Sequence, residues 1–137
     1  MSEKGAAGGQ AGGPGAKPPA QTKSHPAPAV VALRMEDVTH WAIERVAKMP
    51  REHKFAIGDK LVEACLDVTC GLVEATYVRD KLALLSQASR GLVRARVLAR
   101  LASRSKLLSL DQLAYFERET VDVGRMIGGW TRSMRRR

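Results

Sequence analysis

From Met35 onward apolar residues recur at intervals of three and four. Nowhere do they alternate with polar ones for long enough to make a strand. Between Lys54 and Trp130 the chain has no proline and few glycines. The pattern predicts four helices. The first covers about residues 36–48, where Glu36 and Asp37 suit the positive end of the helix dipole and Pro50 ends the run. The second covers about 55–79 and the third about 81–105, with a tight turn near Asp80 between them. The fourth opens at Ser109, whose partner Gln112 three residues on makes a capping box. It is expected to stop after Ile127, at Gly128-Gly129. Long helices joined by short connections pack against their chain neighbours. The fold class is therefore all-α: an antiparallel, up-down-up-down four-helix bundle spanning residues 35–130.

The second helix carries more apolar surface than one bundle face needs. One stripe is Ile57, Leu61, Ala64, Val68, Leu72 and Ala75; another is Val62, Leu66, Thr69 and Val73. At ~100° per residue the two are centred about 130° apart. The second stripe faces either a wider core within the monomer or another subunit, and a homo-oligomer interface through Val62, Leu66, Thr69 and Val73 is the favoured expectation.

Composition sharpens this picture at the ends. Of residues 1–29, 18 are Ala, Gly or Pro. Such a segment cannot bury enough apolar surface to offset its ordering entropy, so residues 1–34 are expected to form a disordered arm. No apolar run reaches the ~18 residues of a membrane span, and the stretch from Ala27 to Leu33 is too short for a signal-peptide core. Cys65 and Cys70 make neither a disulfide framework nor a zinc site and fit buried thiols in a reducing cytoplasm.

The net charge of +9 is unevenly placed. Residues 81–106 hold seven basic and no acidic side chains, and residues 131–137 form a basic tail with Arg132, Arg135, Arg136 and Arg137. On the third helix Arg90, Arg94, Arg96, Arg100 and Arg104 fall within about 160° of arc. Like charges one turn apart oppose helix formation by a few tenths of a kcal/mol per pair, and folding a monomer does not ask for them. A phosphate backbone would offset that through counterion release. Two other readings stand beside this one. The stripe could pair between subunits with Asp59, Glu63, Asp67 and Glu74 of the second helix, or it could be a solvated face.

Catalytic constellations are not found. His25, His40 and His53 lack HExxH-type partners, and there is no P-loop, no GxGxxG after a strand and no GxSxG. The acids of the second helix have i, i+4 spacing without a Glu-x-x-His pair, so no metal or other cofactor is expected. No aromatics are interleaved with the arginines, which argues against a base-stacking platform and for contacts to phosphate.

Five short motifs stand in order: Pro50-Arg51-x-His53, Gly58-Asp59-Lys60, Tyr77-x-Arg79-Asp80-Lys81, Leu107-Leu108-Ser109-x-x-Gln112 and Gly124-Arg125-Met126-Ile127-Gly128-Gly129-Trp130. Over about residues 36–132 the chain resembles the accessory variability determinant, Avd, of diversity-generating retroelements. That family is related to the four-helix-bundle proteins encoded in intervening sequences of ribosomal RNA genes. The resemblance implies a homopentameric barrel with a basic surface. It implies a cytoplasmic, non-enzymatic partner of the element's reverse transcriptase and template RNA, and through them of the cDNA, in mutagenic retrohoming. The alternative is a structural oligomer of the intervening-sequence type without a nucleic-acid task. The Ala/Gly/Pro arm departs from the family pattern. No family motif transfers onto Arg90–Arg104, so their assignment rests on charge alone. Gly128-Gly129 is read as a helix end, and Trp130 is expected to close the bundle end with its indole N–H on a backbone carbonyl.

Overall fold

The computed structural model describes residues 29–136. Within them the chain forms four helices and no strand: α1 (Val30–Ala47), α2, α3 (Leu82–Arg104) and α4 (Leu110–Arg135). Helix α2 is composite. It runs as α-helix over Arg51–His53, as π-helix over Lys54–Gly58 and again as α-helix over Asp59–Tyr77. Each helix packs on its chain neighbours, and α1 also packs on α4, so the four close into a ring around one core. Cross-helix pairs join them. The Ala29 amide donates to Thr76 Oγ1, while Thr39 sits against Cys65 and Thr69. On the other seam Arg34 meets Asp122, while Trp41 stacks on Phe116.

The core is aliphatic, with Leu61, Val68, Leu72, Leu85, Val123 and Ile127 fully enclosed around Met35, Val38 and Phe116. A single polar knot crosses it. Thr39 Oγ1 and Thr69 Oγ1 are 2.8 Å apart, and Thr39 Oγ1 lies 3.3 Å from the Cys65 carbonyl. Each hydroxyl has one proton. Thr69 therefore donates to Thr39, whose own proton goes to Cys65, and both buried groups are satisfied.

Helix α1 begins six residues before the expected start. Val31 and Ala32 are buried, and Arg34 reaches Glu119 at 3.1 Å and Asp122 at 3.4 Å. Residues 29–34 thus belong to the bundle rather than to an arm; residues 1–28 of the expected arm lie outside the described residues. Burial of Val31 and Ala32 outweighs the weak helix preference of the Val-Val pair and the absence of an N-cap side chain.

The π-helical turn has a packing cause. Gly58 is buried, and a Cβ there would stand 2.7 Å from Val46 Cγ1 and 3.2 Å from Met49 Sδ. The extra residue in the turn brings a bare backbone against the end of α1. Helix α3 ends in a Schellman motif: Leu107 N–H bonds to Ala102 O and Lys106 N–H to Ser103 O, with Lys106 in the left-handed region at φ 63°. The capping box of α4 forms as expected, with Ser109 and Gln112 bonded reciprocally at 2.9 and 3.0 Å.

Gly128-Gly129 does not stop α4, which continues to Arg135. Ile127 is buried, and Trp130 and Met134 pack on the core, so the helix is held by contacts on both sides of the glycines. Residues 131–135 of the expected basic tail are consequently the end of this helix. Trp130 makes no bond to a backbone carbonyl among the described residues; instead Lys81 Nζ lies 5.9 Å from its ring centroid.

Candidate functional site

The solvent face of α3 is built by the residues that its core stripe excludes. Leu85, Ala88, Leu92, Ala95, Ala99 and Ala102 face inward, which sends Arg90, Arg94, Arg100 and Arg104 outward, with Arg96 at the edge of the face. The five are not equivalent. Arg96 Nε donates to Glu117 Oε1 at 3.0 Å, and Arg100 Nη1 lies 3.7 Å from Glu117 Oε2, so two arginines are tied to α4. Arg90 Nη1 donates to Ser86 Oγ on its own helix. Arg94 and Arg104 have no side-chain partner among the described residues.

An apolar ridge runs through this face. Val93, Val97 and Leu101 are 60%, 40% and 44% exposed. At ~100° per residue they fall inside the arginine arc, not beside it. Their i, i+4, i+8 spacing is present in the sequence, interleaved with the arginines. The surface is therefore a greasy ridge with guanidinium groups on both flanks, suited to contact with a protein as well as with phosphate.

The second apolar stripe of α2 divides. Thr69 is buried and bonded to Thr39, so it belongs to the monomer's own core and not to a subunit interface. Val62 and Val73 are half-buried against that core. Leu66 is 40% exposed, and Phe55, Cys70 and Tyr77 extend the open surface along the helix. Asp59, Glu63, Asp67 and Glu74 stand exposed along the same helix without a cationic partner among the described residues. Ile43 and Val62 line a groove of about 400 Å³ between α1 and α2, with Asp59 and Glu63 at its edge.

The remaining predicted residues sit at the end of α4. Arg132 and Arg135 are exposed in its last turn and Arg136 just beyond, where positive charge suits the helix dipole. Arg137 lies outside the described residues. Elsewhere, burial pushes the Cys65 thiol up to about 12. Burial, assisted by Glu119 and Asp37, raises the Tyr115 hydroxyl, whose ring lies 5.1 Å from that of Trp41. Hydrogen bonds to Glu119 and Asp122 raise Arg34 further above its ordinary value.

No group of His, Cys, Asp and Glu among the described residues is placed to hold a metal ion. No helix of the described residues is long and apolar enough to cross a membrane. Comparison with curated proteins and with solved structures finds no match. The family models do: the bAvd-like family matches residues 29–134, from the first residue before α1 to the last turn of α4. The ordered motifs from Pro50 to Trp130 and the four-helix architecture agree with that match, and the chain belongs to the bAvd-like family.

Proposed function

We propose that this protein is a non-enzymatic accessory subunit of a diversity-generating retroelement. It binds the element's reverse transcriptase and template RNA in the cytoplasm and supports mutagenic cDNA synthesis and retrohoming. The family match supports the class of protein. The observation that carries the binding role is the α3 face, where Arg90, Arg94 and Arg104 flank Val93, Val97 and Leu101. The valines and leucine would pack on the polymerase, and the arginines would take phosphates or carboxylates. We further infer an antiparallel up-down-up-down order, supported by the pairing of early α1 with late α2 and α4.

Assembly into a homo-oligomer, a pentamer by family resemblance, belongs to the same proposal. Its support is the exposed strip of α2 around Leu66, with Val62 and Val73 beside it. A second reading rests on charge complementarity. The basic-flanked ridge of α3 matches the acid-flanked strip of α2, so one subunit's α3 could dock on its neighbour's α2. Such a head-to-tail contact generates a ring where the rotation between subunits closes.

One variant separates these readings. Arg90, Arg94 and Arg104 are changed together to Gln, which leaves the Arg96–Glu117–Arg100 cluster intact. Size is followed by light scattering and RNA binding across a salt series. An unchanged assembly with weaker binding, and a salt slope smaller by roughly one per phosphate-contacting arginine, supports RNA binding at α3. Dissociation assigns the ridge to assembly. Unchanged size and binding move RNA contact to Arg132–Arg137.

A further inference from the structure

The end of the bundle opposite Lys81 holds a cavity of about 390 Å³ where the α1–α2 and α3–α4 connections meet. Arg45 and Lys48 enter it from the end of α1, His53 from the start of α2, Lys106 from the α3–α4 turn and Gln112 from the first turn of α4. No carboxylate lines it. We propose that this cavity is an oxyanion site that takes one phosphate group.

Three observations carry the assignment. The Nε of Arg45 is sealed from solvent and has no hydrogen-bond partner among the described residues. Elsewhere Arg34, Arg96, Arg100 and Arg125 all reach carboxylates. Sealed as it is, that nitrogen lies beyond the reach of an anion in the cavity; what Arg45 offers one there is the outer nitrogens of its guanidinium, to which no carboxylate is bonded among the described residues.

Second, basic residues near helix C-termini often serve the helix dipole, but these do not act as caps. The other end of the molecule shows what such a cap looks like. There Lys81 Nζ donates to Ala75 O at 2.7 Å and to Val78 O, closing the end of α2. No side-chain bond of that kind is made by Arg45, Lys48 or Lys106 among the described residues. All three line the cavity, and none of their charges is taken up by a carbonyl among the described residues.

Third, Lys106 occupies the left-handed position of the Schellman turn, where glycine is the easy choice. A lysine held there carries backbone strain, and what it places at the cavity rim is a charge. Arginine forks match tetrahedral oxyanions, and three cations suit a phosphate dianion better than a lone carboxylate. The phosphate could be free or could terminate a nucleic acid strand. The site is separate from the α3 face, so it stands or falls independently of the role assigned there.

The test is a 31P titration of the full chain with inorganic phosphate at fixed ionic strength. Saturable binding at one site per chain is expected. Arg45→Gln and Lys106→Gly should each weaken it at least tenfold. Lys106→Gly relieves the left-handed residue, so its Tm without phosphate should not fall, which separates loss of the site from loss of fold. The triple variant of Arg90, Arg94 and Arg104 should bind phosphate as the parent does. A second arm compares one oligonucleotide with and without a 5′-phosphate. Tighter binding of the phosphorylated form, abolished by Arg45→Gln, assigns the site to a strand end. Equal affinity, with inorganic phosphate still bound, assigns it to the free anion. Absence of saturable phosphate binding, or binding unchanged in both pocket variants, overturns the proposal.

Discussion

Thr39 and Thr69 each complete the other's hydrogen bonding inside an apolar interior. Replacing Thr69 by Val removes the donor to Thr39, and replacing Thr39 by Val strands the Thr69 hydroxyl. Val at position 39 should lower stability by about 1–3 kcal/mol, since the buried Thr69 hydroxyl is left unpaired, and Val at position 69, which leaves Thr39 bonded to Cys65, by about 0.5–1.5 kcal/mol. The double Val variant should recover part of that loss. Denaturant unfolding of the four proteins checks the coupling. Cys65, beside this pair, is a thiol kept neutral by burial. Its folded value of about 12 exceeds the ordinary thiol value. The unfolded state is therefore the one that ionises first as pH rises. Stability from this group is complete below about pH 8.5 and declines between there and pH 12. Alkylation of Cys65 at pH 8 should occur only as fast as the protein opens, which mass spectrometry of the labelled peptide measures. The expectation of two buried thiols holds for Cys65 and fails for Cys70, which is exposed, because cysteine type alone does not say which face of a helix is covered. The sequence could not convey that Thr69 turns inward, because a threonine on an apolar stripe fits a core and an interface equally well.

The glycines behave oppositely in different helices. Gly58 and Gly91 lie where a Cβ would come within 2.7 Å of Val46 Cγ1 and 2.9 Å of Val68 Cγ2, so alanine at either should destabilise by roughly 1–3 kcal/mol. Gly128 and Gly129 lie inside α4, and the atoms nearest a new Cβ belong to the mobile end of Arg132, at 3.5 and 3.8 Å. Alanine at each should stabilise by about 0.5–1 kcal/mol through helix propensity alone. Thermal melts of the four variants test the contrast. The same elements show where reading from sequence stops. The Ser109–Gln112 box was legible because both halves of the signal are local. The run of α4 past two glycines was not, because what holds it is the packing of Ile127, Trp130 and Met134 on other helices. The π-turn before Asp59 left one trace, Gly58, whose packing partner lies in α1. On α3, charge alone marks the arginines, whereas the ridge of Val93, Val97 and Leu101 between them shows only once the core face is known.

For the whole molecule, the first turn of α1 is structural. A chain beginning at Met35 lacks buried Val31 and Ala32, the Ala29–Thr76 bond and the Arg34 pairs. It should be less stable than one beginning at Ala29 by at least about 2 kcal/mol, most of it from lost apolar burial. The ion pairs, at a partly exposed surface, add no more than about 1 kcal/mol. Chemical denaturation of the two chains decides the matter, and equal midpoints would show that the turn is ornamental.

The seam between α1 and α4 also sets an order of events. Arg34 finds its carboxylates 85 and 88 residues further along the chain, whereas α2 and α3 are joined by a short turn and share the broadest contact in the molecule. Closing a long loop carries more entropy than closing a short one, so the α2–α3 hairpin can assemble while α1 still lacks half its neighbours. On a ribosome, the side of α1 that carries Trp41 stays uncovered until α4 has been synthesised. Pulse-labelling hydrogen exchange during refolding should find amides of α2 and α3 protected before those of α1. Equal protection of all four helices from the outset would mean that the ring closes in a single step.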